Sequence, residues 1–172
     1  MSQSALIVEV PEIERFVAPV RERHDPSAPR GVPAHITVLF PFLAATELNE
    51  SAFVALADVA GSTRSFQFHL VSVGRFADVV YLGPKPTQPF AGLSRAVQVA
   101  FPGYEPYGGR YTSFVPHLTV AHGEPSMHGS VEAHLQALMG DIAQIQCTCR
   151  TLVLIENSSG RWRTLRSFTL KS

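Results

Sequence analysis

Apolar residues recur along the chain at two spacings, and the spacing assigns the first segments to strands or helices. The short apolar run "ALIVEV" (5–10) predicts a buried strand, and Pro11 then opens a stretch with helical spacing that should end near His24. The next run, "HITVLF" (35–40), is rich in β-branched residues and is closed by Pro41. This composition predicts a second strand, which the chain enters from a loop rich in proline and glycine.

The same order of elements returns in the rest of the chain. The patterns predict, in chain order, a helix over 45–61, two strands around a turn at 74–78, a helix over 86–101, a glycine-rich aromatic loop over 102–115, a strand at 117–120, a helix near 130–139, and strands over 145–156 and 161–170. We interpret this order as two copies of strand, helix, loop, histidine-containing strand, helix and strand. The prediction is one domain over 1–172 with lobe-like repeats at approximately 5–78 and 79–172.

Composition and charge narrow the class of protein. Hydrophobic residues make up 45% of the 172 residues and charged residues 16%, which predicts a folded, soluble chain. The 14 basic residues balance the 14 acidic ones, so we expect no extended surface that tracks nucleic acid, and any anionic partner should be held locally. No apolar run approaches the roughly 20 residues of a membrane span, and "MSQSALIVEV" lacks a signal-peptide pattern. We expect a cytoplasmic monomer.

The cysteines offer a weaker signal. Cys147 and Cys149 are two positions apart in a predicted strand and should point to the same side. A Cys-x-Cys pair can bind metal, but no partner ligands stand at a recognisable spacing. We therefore expect buried thiols.

The most informative pattern is a repeated motif, "HITV" at 35–38 and "HLTV" at 117–120, with a proline close before each histidine. Alternation along a strand puts His35 and Thr37 on one face, and likewise His117 and Thr119. If the two copies meet, one neutral imidazole can accept a proton from a nucleophile while one charged imidazole donates a proton to a leaving oxygen. The threonine hydroxyls can donate hydrogen bonds to phosphate oxygens. This constellation predicts a site that splits phosphodiesters.

On these motifs, their separation and the repeated arrangement, the chain resembles the two-histidine (2H) phosphoesterase superfamily, in particular the bacterial 2′-5′ RNA ligase-like proteins. The resemblance implies an α+β fold of two pseudo-symmetric lobes, with antiparallel sheets around a central cleft and helices outside. It also implies metal-independent opening of cyclic phosphodiesters, often a 2′,3′-cyclic phosphate at an RNA end, with no cofactor and with reversal as ligation. His35 and His117 would be the acid/base pair, with either as the base, and Thr37 and Thr119 the phosphate ligands.

Three further residues are candidates for substrate binding. Arg110 could pair with phosphate and Tyr111 could stack on a base, although both also fit an ordinary surface loop. His122 could line the cleft or simply end its strand, and strict alternation places it on the face opposite to His117. A basic residue often follows the motifs in the RNA ligase branch, where this chain has Leu39 and His122. RNA ends, nucleotides and other small cyclic phosphates are all compatible with this composition.

Two other functions use the same residues. A non-catalytic module could bind a nucleotide or RNA end in the same cleft without turnover. A metalloenzyme could use His35, His117 and His122 as ligands, but each motif histidine shares its face with a threonine rather than with a carboxylate that would orient it.

Overall fold

The computed structural model describes residues 2–110 and 113–172, and these form four α-helices and eight β-strands. The strands are β1 Ser4–Glu9, β2 His35–Leu39, β3 Phe66–Arg75, β4 Val79–Lys85, β5 Leu118–His122, β6 Cys147–Cys149, β7 Thr151–Glu156 and β8 Arg163–Thr169. The helices are α1 Pro11–His24, α2 Glu50–Ser62, α3 Gln88–Ala100 and α4 Pro125–Ile142. Short 3₁₀ turns cover Ala45–Glu47 and Pro106–Gly109. None of the described helices is both long and apolar enough to cross a membrane.

All eight strands lie in one sheet in the order β6-β3-β4-β5-β2-β1-β7-β8, and every neighbouring pair is antiparallel. The predicted α+β class with antiparallel strands is confirmed. The two motif strands, β2 and β5, are neighbours at the centre of this sheet. Strands β1, β7 and β8 extend it beyond β2, and β4, β3 and β6 extend it beyond β5.

The two faces of the sheet have different coverings. On one face, which we call the helix face, alternate strand residues join buried residues from all four helices in the main hydrophobic cluster. Full burial of one such aliphatic side chain contributes about 1.5–3 kcal/mol. The other face, which we call the site face, carries the motif histidines and threonines and a smaller apolar cluster that Phe40 and Trp162 cover in part. The smaller cluster comprises Ala5, Ile7, Val32, Val153 and Ile155.

An approximate twofold relation passes between β2 and β5. Ile36 is paired with Leu118 across the two strands, and these are the equivalent second residues of the two motifs. A twofold axis through this pair maps each strand onto its antiparallel neighbour and maps His35 onto His117. The repeated motif in the sequence is therefore also a repeat in space at this strand pair.

Each motif strand carries a β-bulge directly after its threonine. In β2, Thr37 and Leu39 pair with successive residues of β1, and the same irregularity follows Thr119 in β5, opposite β4. Both residues after each threonine are therefore buried in the main cluster. The residues that follow them, Phe40 and His122, return to the site face. The expectation from alternation that His122 lies opposite to His117 is wrong, because the bulge inserts one residue.

The ends of several elements follow from local chemistry. Pro11 occupies the first turn of α1, where its missing N–H needs no partner. The Asn49 side chain accepts a hydrogen bond from the Ala52 N–H and caps α2.

The strand predicted over 145–156 is in fact two strands, because the chain leaves one edge of the sheet after β6 and begins β7 after a single intervening residue, Arg150. Since one residue spans less than about 8 Å, the sheet must curl to bring these strands together.

Cys147 and Cys149 both lie buried in the main cluster as free thiols. Burial raises the pKa of each thiol to about 12. The prediction of buried thiols is confirmed.

Candidate active site

The register of the central strands brings both motifs together on the site face. Ile36 is paired with Leu118, and the same antiparallel register, extended by one residue in each direction, puts His35 opposite Thr119 and Thr37 opposite His117. Directly opposed Cβ atoms in such a pair are roughly 4.5–5.5 Å apart, and diagonal neighbours such as the two histidines roughly 7–8 Å. All four residues are half-buried. This arrangement lets one phosphate group contact both imidazoles and both hydroxyls.

Each histidine is held by a hydrogen bond to its own entry loop. His35 Nδ1 lies 2.8 Å from the Pro33 carbonyl oxygen, and His117 Nδ1 lies 2.8 Å from the Val115 carbonyl oxygen. A carbonyl only accepts, so Nδ1 carries the proton in both rings and Nε2 carries the lone pair of the neutral imidazole. Both rings therefore present Nε2, the atom able to gain or lose a proton.

Burial favours the neutral form of both imidazoles. Desolvation, assisted by the Arg21 guanidinium and by His117, lowers the pKa of His35 to about 4. Desolvation also lowers the pKa of His117 from its ordinary value. The hydrogen bonds to the entry-loop carbonyls oppose both shifts, and the Asp25 carboxylate also opposes the shift of His35, but burial dominates. At neutral pH both Nε2 atoms are proton acceptors until an anion arrives.

A buried ion pair fixes the loop that leads into His35. Arg21, which is 1% exposed, contacts Asp25 Oδ2 through Nε at 3.1 Å and Nη2 at 2.9 Å. The same Nη2 donates to the Val32 carbonyl at 3.0 Å, and Glu14 Oε2 accepts the Ala34 N–H at 2.7 Å. These contacts hold the peptide groups on both sides of Pro33, whose carbonyl orients His35. Arg21 is a positioning residue for this half of the site.

Aromatic rings surround His117 instead. Its ring centroid lies 5.0 Å from that of Phe76 and 5.4 Å from that of Tyr81. Tyr107 stacks on His117 at 6.3 Å and 24°, and adopts a φ of 55°, a left-handed conformation that is uncommon outside glycine. The second half of the site is thus apolar and aromatic where the first half is ionic.

The remaining sequence candidates differ in position. Thr37 and Thr119 are half-buried on the site face, and neither hydroxyl forms a hydrogen bond to any described residue. His122 ends β5 on the site face, and its Nε2 lies 3.2 Å from Asp78 Oδ2, with both side chains about half exposed or more. Arg110 is exposed at the end of the 106–109 turn. Tyr111 lies outside the described residues.

The sequence interpretation missed Arg21, Glu14, Phe76 and Tyr81. One signal for Arg21 was present, because it continues the buried α1 stripe of Ile13 and Val17 at four-residue spacing. A charged residue in an apolar stripe is buried only with a partner. Phe76 and Tyr81 offered no comparable signal, since their proximity to His117 depends on strand pairing.

His35, His117 and His122 do not form a metal-binding group. Within residues 2–110 and 113–172, no three histidine, cysteine, aspartate or glutamate side chains come together in a way that could hold a metal ion.

Known proteins resemble this chain over most of its length. Residues 9–161 match the family described as the 2′-5′ RNA ligase superfamily. A Bacillus cereus (strain G9842) protein named "Putative phosphoesterase" is 31% identical over 157 residues, covering 88% of this chain and 86% of the relative. A Bacillus thuringiensis (strain Al Hakam) protein of the same name is 32% identical over 155 residues, with the same coverage.

Solved structures share the fold. Escherichia coli LigT complexed with 3′-AMP superposes with a TM-score of 0.63 at 19% identity, covering 99% of each chain. TT0787 of Thermus thermophilus superposes with a TM-score of 0.60 at 16% identity, covering 99% of this chain and 98% of its own. At these identities the likeness concerns the fold alone.

Proposed function

The chain belongs to the 2′-5′ RNA ligase superfamily, and from that premise we propose that it is a phosphoesterase that opens a cyclic phosphodiester through His35 and His117. Thr37 and Thr119 bind the phosphate, and the reaction needs neither metal ion nor cofactor.

One observation carries this proposal, namely the matched orientation of the two rings. Both imidazoles have Nδ1 fixed to a carbonyl of their own loop, so both present Nε2. They lie diagonally across one strand pair, with a threonine opposite each. General acid/base catalysis of an in-line displacement requires one proton acceptor and one proton donor on opposite sides of phosphorus.

The chemical step balances with these groups alone. Water attacks phosphorus and gives a proton to the neutral Nε2 of one histidine, while the bond between phosphorus and one ribose oxygen breaks. The imidazolium of the other histidine donates its Nε2 proton to that oxygen. The cyclic diester and water become a phosphomonoester with a free hydroxyl, and the two histidines exchange protonation states. The same ring opening with a ribose hydroxyl in place of water would join two ends as a phosphodiester.

The donor imidazole acquires its proton together with the substrate. Both rings have lowered pKa values in the free protein, but a phosphate anion placed between them favours the charged form. Hydrogen bonds from the threonine hydroxyls spread the negative charge that builds on the non-bridging oxygens. Substrate binding thus creates the acid that the step consumes.

A nucleotide is the best-supported carrier of the cyclic phosphate. Solved E. coli LigT structures are described as complexes with 3′-AMP, ATP and NADP+. Aromatic rings beside His117 suit a nucleobase. We assign a 2′,3′-cyclic phosphate on a nucleotide or on an RNA end as the substrate class, and RNA processing as the setting for RNA ends.

The test is hydrolysis of 2′,3′-cyclic AMP and of a cyclic-phosphate-ended oligoribonucleotide in the presence of a chelator. His35→Ala and His117→Ala should each lower kcat/KM by about 10²–10⁴. The matched control is His134→Ala, a histidine exposed on α4, which should keep wild-type activity. Wild-type protein inert toward a broad panel of cyclic phosphates would overturn the proposal, and saturable nucleotide binding without turnover would favour the binding module.

A further inference from the structure

The rings beside His117 are arranged as a stack with one side left open. Phe76 and Tyr81 stack with centroids 4.5 Å apart at 30°. The His117 centroid lies 5.0 Å from Phe76 and 5.4 Å from Tyr81, so the three centroids form a nearly equilateral triangle. His117 therefore lies beside the stack and cannot cover the face of Phe76 that points away from Tyr81. Phe76 remains 36% exposed.

The stack is held by its backbone and does not rely on the rings alone. The Phe76 N–H donates to the Val79 carbonyl at 2.8 Å, and the Gly123 N–H donates to the Asp78 carbonyl at 2.9 Å. Tyr81 lies across Gly74 of the paired strand, and a Cβ at that position would overlap the Tyr81 ring. Glycine at this point is what lets the ring lie flat beneath Phe76. An aromatic surface fixed in this way loses little entropy when a ligand stacks on it.

In the other half of the site, the aromatic rings found among the described residues are those of Phe40 and Trp162, which meet edge to face at 6.2 Å and 66° and form no stack. Ile7 lies opposite Thr37 in β1, as Tyr81 lies opposite Thr119 in β4. Ile7 is 1% exposed and belongs to the smaller apolar cluster, which Phe40 and Trp162 partly cover. The open, stacked aromatic surface thus lies on the His117 side.

We propose that Phe76, supported by Tyr81, is the surface on which the nucleobase of the substrate stacks, so that the site selects nucleoside cyclic phosphates over cyclic phosphates without a base. This inference rests on the proposed function and names the substrate feature that the site recognises. Every base has a π-face, so the preference extends to all four nucleosides.

The test compares two substrates that share the reacting group, 2′,3′-cyclic AMP and glycerol 1,2-cyclic phosphate. Phe76→Leu should lower kcat/KM for the cyclic nucleotide by about tenfold, mainly through KM, because an effect of that size lies within the range by which stacking on an aromatic side chain strengthens binding. Because Phe76 also packs against the His117 ring, a loss that arises at the catalytic histidine lowers both substrates alike; the readout is therefore the ratio of the two kcat/KM values, which should fall about tenfold. Phe76→Tyr should keep the wild-type ratio, and Phe53→Leu, the same substitution on helix α2, should change neither substrate.

Equal losses on both substrates, or no loss on either, would overturn the inference while leaving the proposed function intact. If wild-type protein turns over neither substrate, the proposed function fails, and calorimetry with AMP and with inorganic phosphate decides the inference separately. Phe76→Leu should then weaken AMP binding by about tenfold and leave phosphate binding unchanged. Unchanged AMP binding would overturn it.

Discussion

His35 begins β2 and His117 directly precedes the neighbouring strand β5, and each donates Nδ1–H to the carbonyl two residues earlier. Their surroundings differ completely. Around His35 the Arg21–Asp25 ion pair is almost fully buried and holds the entry loop. Around His117 the neighbours are aromatic rings, one of them partly open to solvent.

The difference teaches how one repeated motif can perform two tasks. Acid/base chemistry needs the same atom at the same place in both halves, and the shared geometry of strand, bulge and Nδ1 bond supplies it. Recognition of a substrate that is itself asymmetric, with phosphate at one end and base at the other, needs unequal surroundings. The surroundings differ because a buried ion pair lies beside His35, whereas an aromatic surface lies beside His117.

The largest effect on the free energy of unfolding should come from removing Arg21, the cation of the buried ion pair beside His35. Arg21→Ala leaves Asp25 buried without its partner, and breaking a buried pair in this way costs about 3–5 kcal/mol of unfolding free energy. Chemical denaturation measures the loss. Arg21→Lys keeps the charge but not the two-atom contact with Asp25, and should lose less.

The matched control for Arg21 is Arg166→Ala, which removes an exposed pair with Glu50 at 3.5 Å. That change should cost no more than about 1 kcal/mol. If Arg21→Ala also costs less than about 1 kcal/mol of unfolding free energy, the buried Arg21–Asp25 pair stabilises the protein no more than an exposed ion pair does.

The next largest effect on the free energy of unfolding should come from the aromatic residues beside His117. Gly74→Ala forces the Tyr81 ring out of the stack, and overpacking of this kind costs about 1–3 kcal/mol. It should also lower activity on a cyclic nucleotide, since Tyr81 supports Phe76 and contacts His117. Gly92→Ala in α3 is the control, because nothing lies near its added methyl, and it should stabilise by about 0.5–1 kcal/mol. A neutral Gly74→Ala would mean that Tyr81 is free to move.

A smaller effect should appear as a pH dependence that differs between the halves. Between about pH 6.5 and pH 4 the unfolded chain protonates residue 35 while the native His35 stays neutral, so stability falls as pH falls. His35→Asn, which retains a donor for the Pro33 carbonyl, should flatten the denaturation midpoint plotted against pH over this window. His117→Asn should flatten it less, because burial lowers the pKa of both histidines, but only at His35 do charged neighbours add to that shift, with Arg21 lowering the pKa and Asp25 offsetting it in part. Equal slopes for both variants would remove this distinction.

The sequence predicted the features that depend on residues close together in the chain. Alternation placed His35 with Thr37 and His117 with Thr119, and helix spacing with Pro11 located α1, because both patterns act over a few residues. The two motifs could be expected to meet because a repeat suggested symmetry.

What the sequence did not reveal depends on partners distant in the chain. The bulge that turns His122 to the site face is defined only by its pairing with β4, and the stack of Phe76 and Tyr81 only by the β3–β4 register. The break at Arg150 arises because β6 pairs with β3 at one edge of the sheet, whereas β7 pairs with β1 and β8 near the other edge. Local patterns carry no information about these pairings, so they predicted one strand and the wrong face for His122.

The smallest effect on stability should come from His122→Phe, which gives the second half the residue that the first half has at Phe40. The Asp78–His122 pair is largely exposed, so its loss should cost less than about 1 kcal/mol. Because His122 lies on the site face after the bulge that follows Thr119, we expect kcat/KM for a cyclic nucleotide to fall more than stability does. Asp78→Asn, which keeps His122 but removes its acidic partner, separates a role of the imidazole from a role of the pair. If denaturation and activity are both unchanged in His122→Phe, this histidine only ends its strand, and the aromatic half-site recognises its substrate without it.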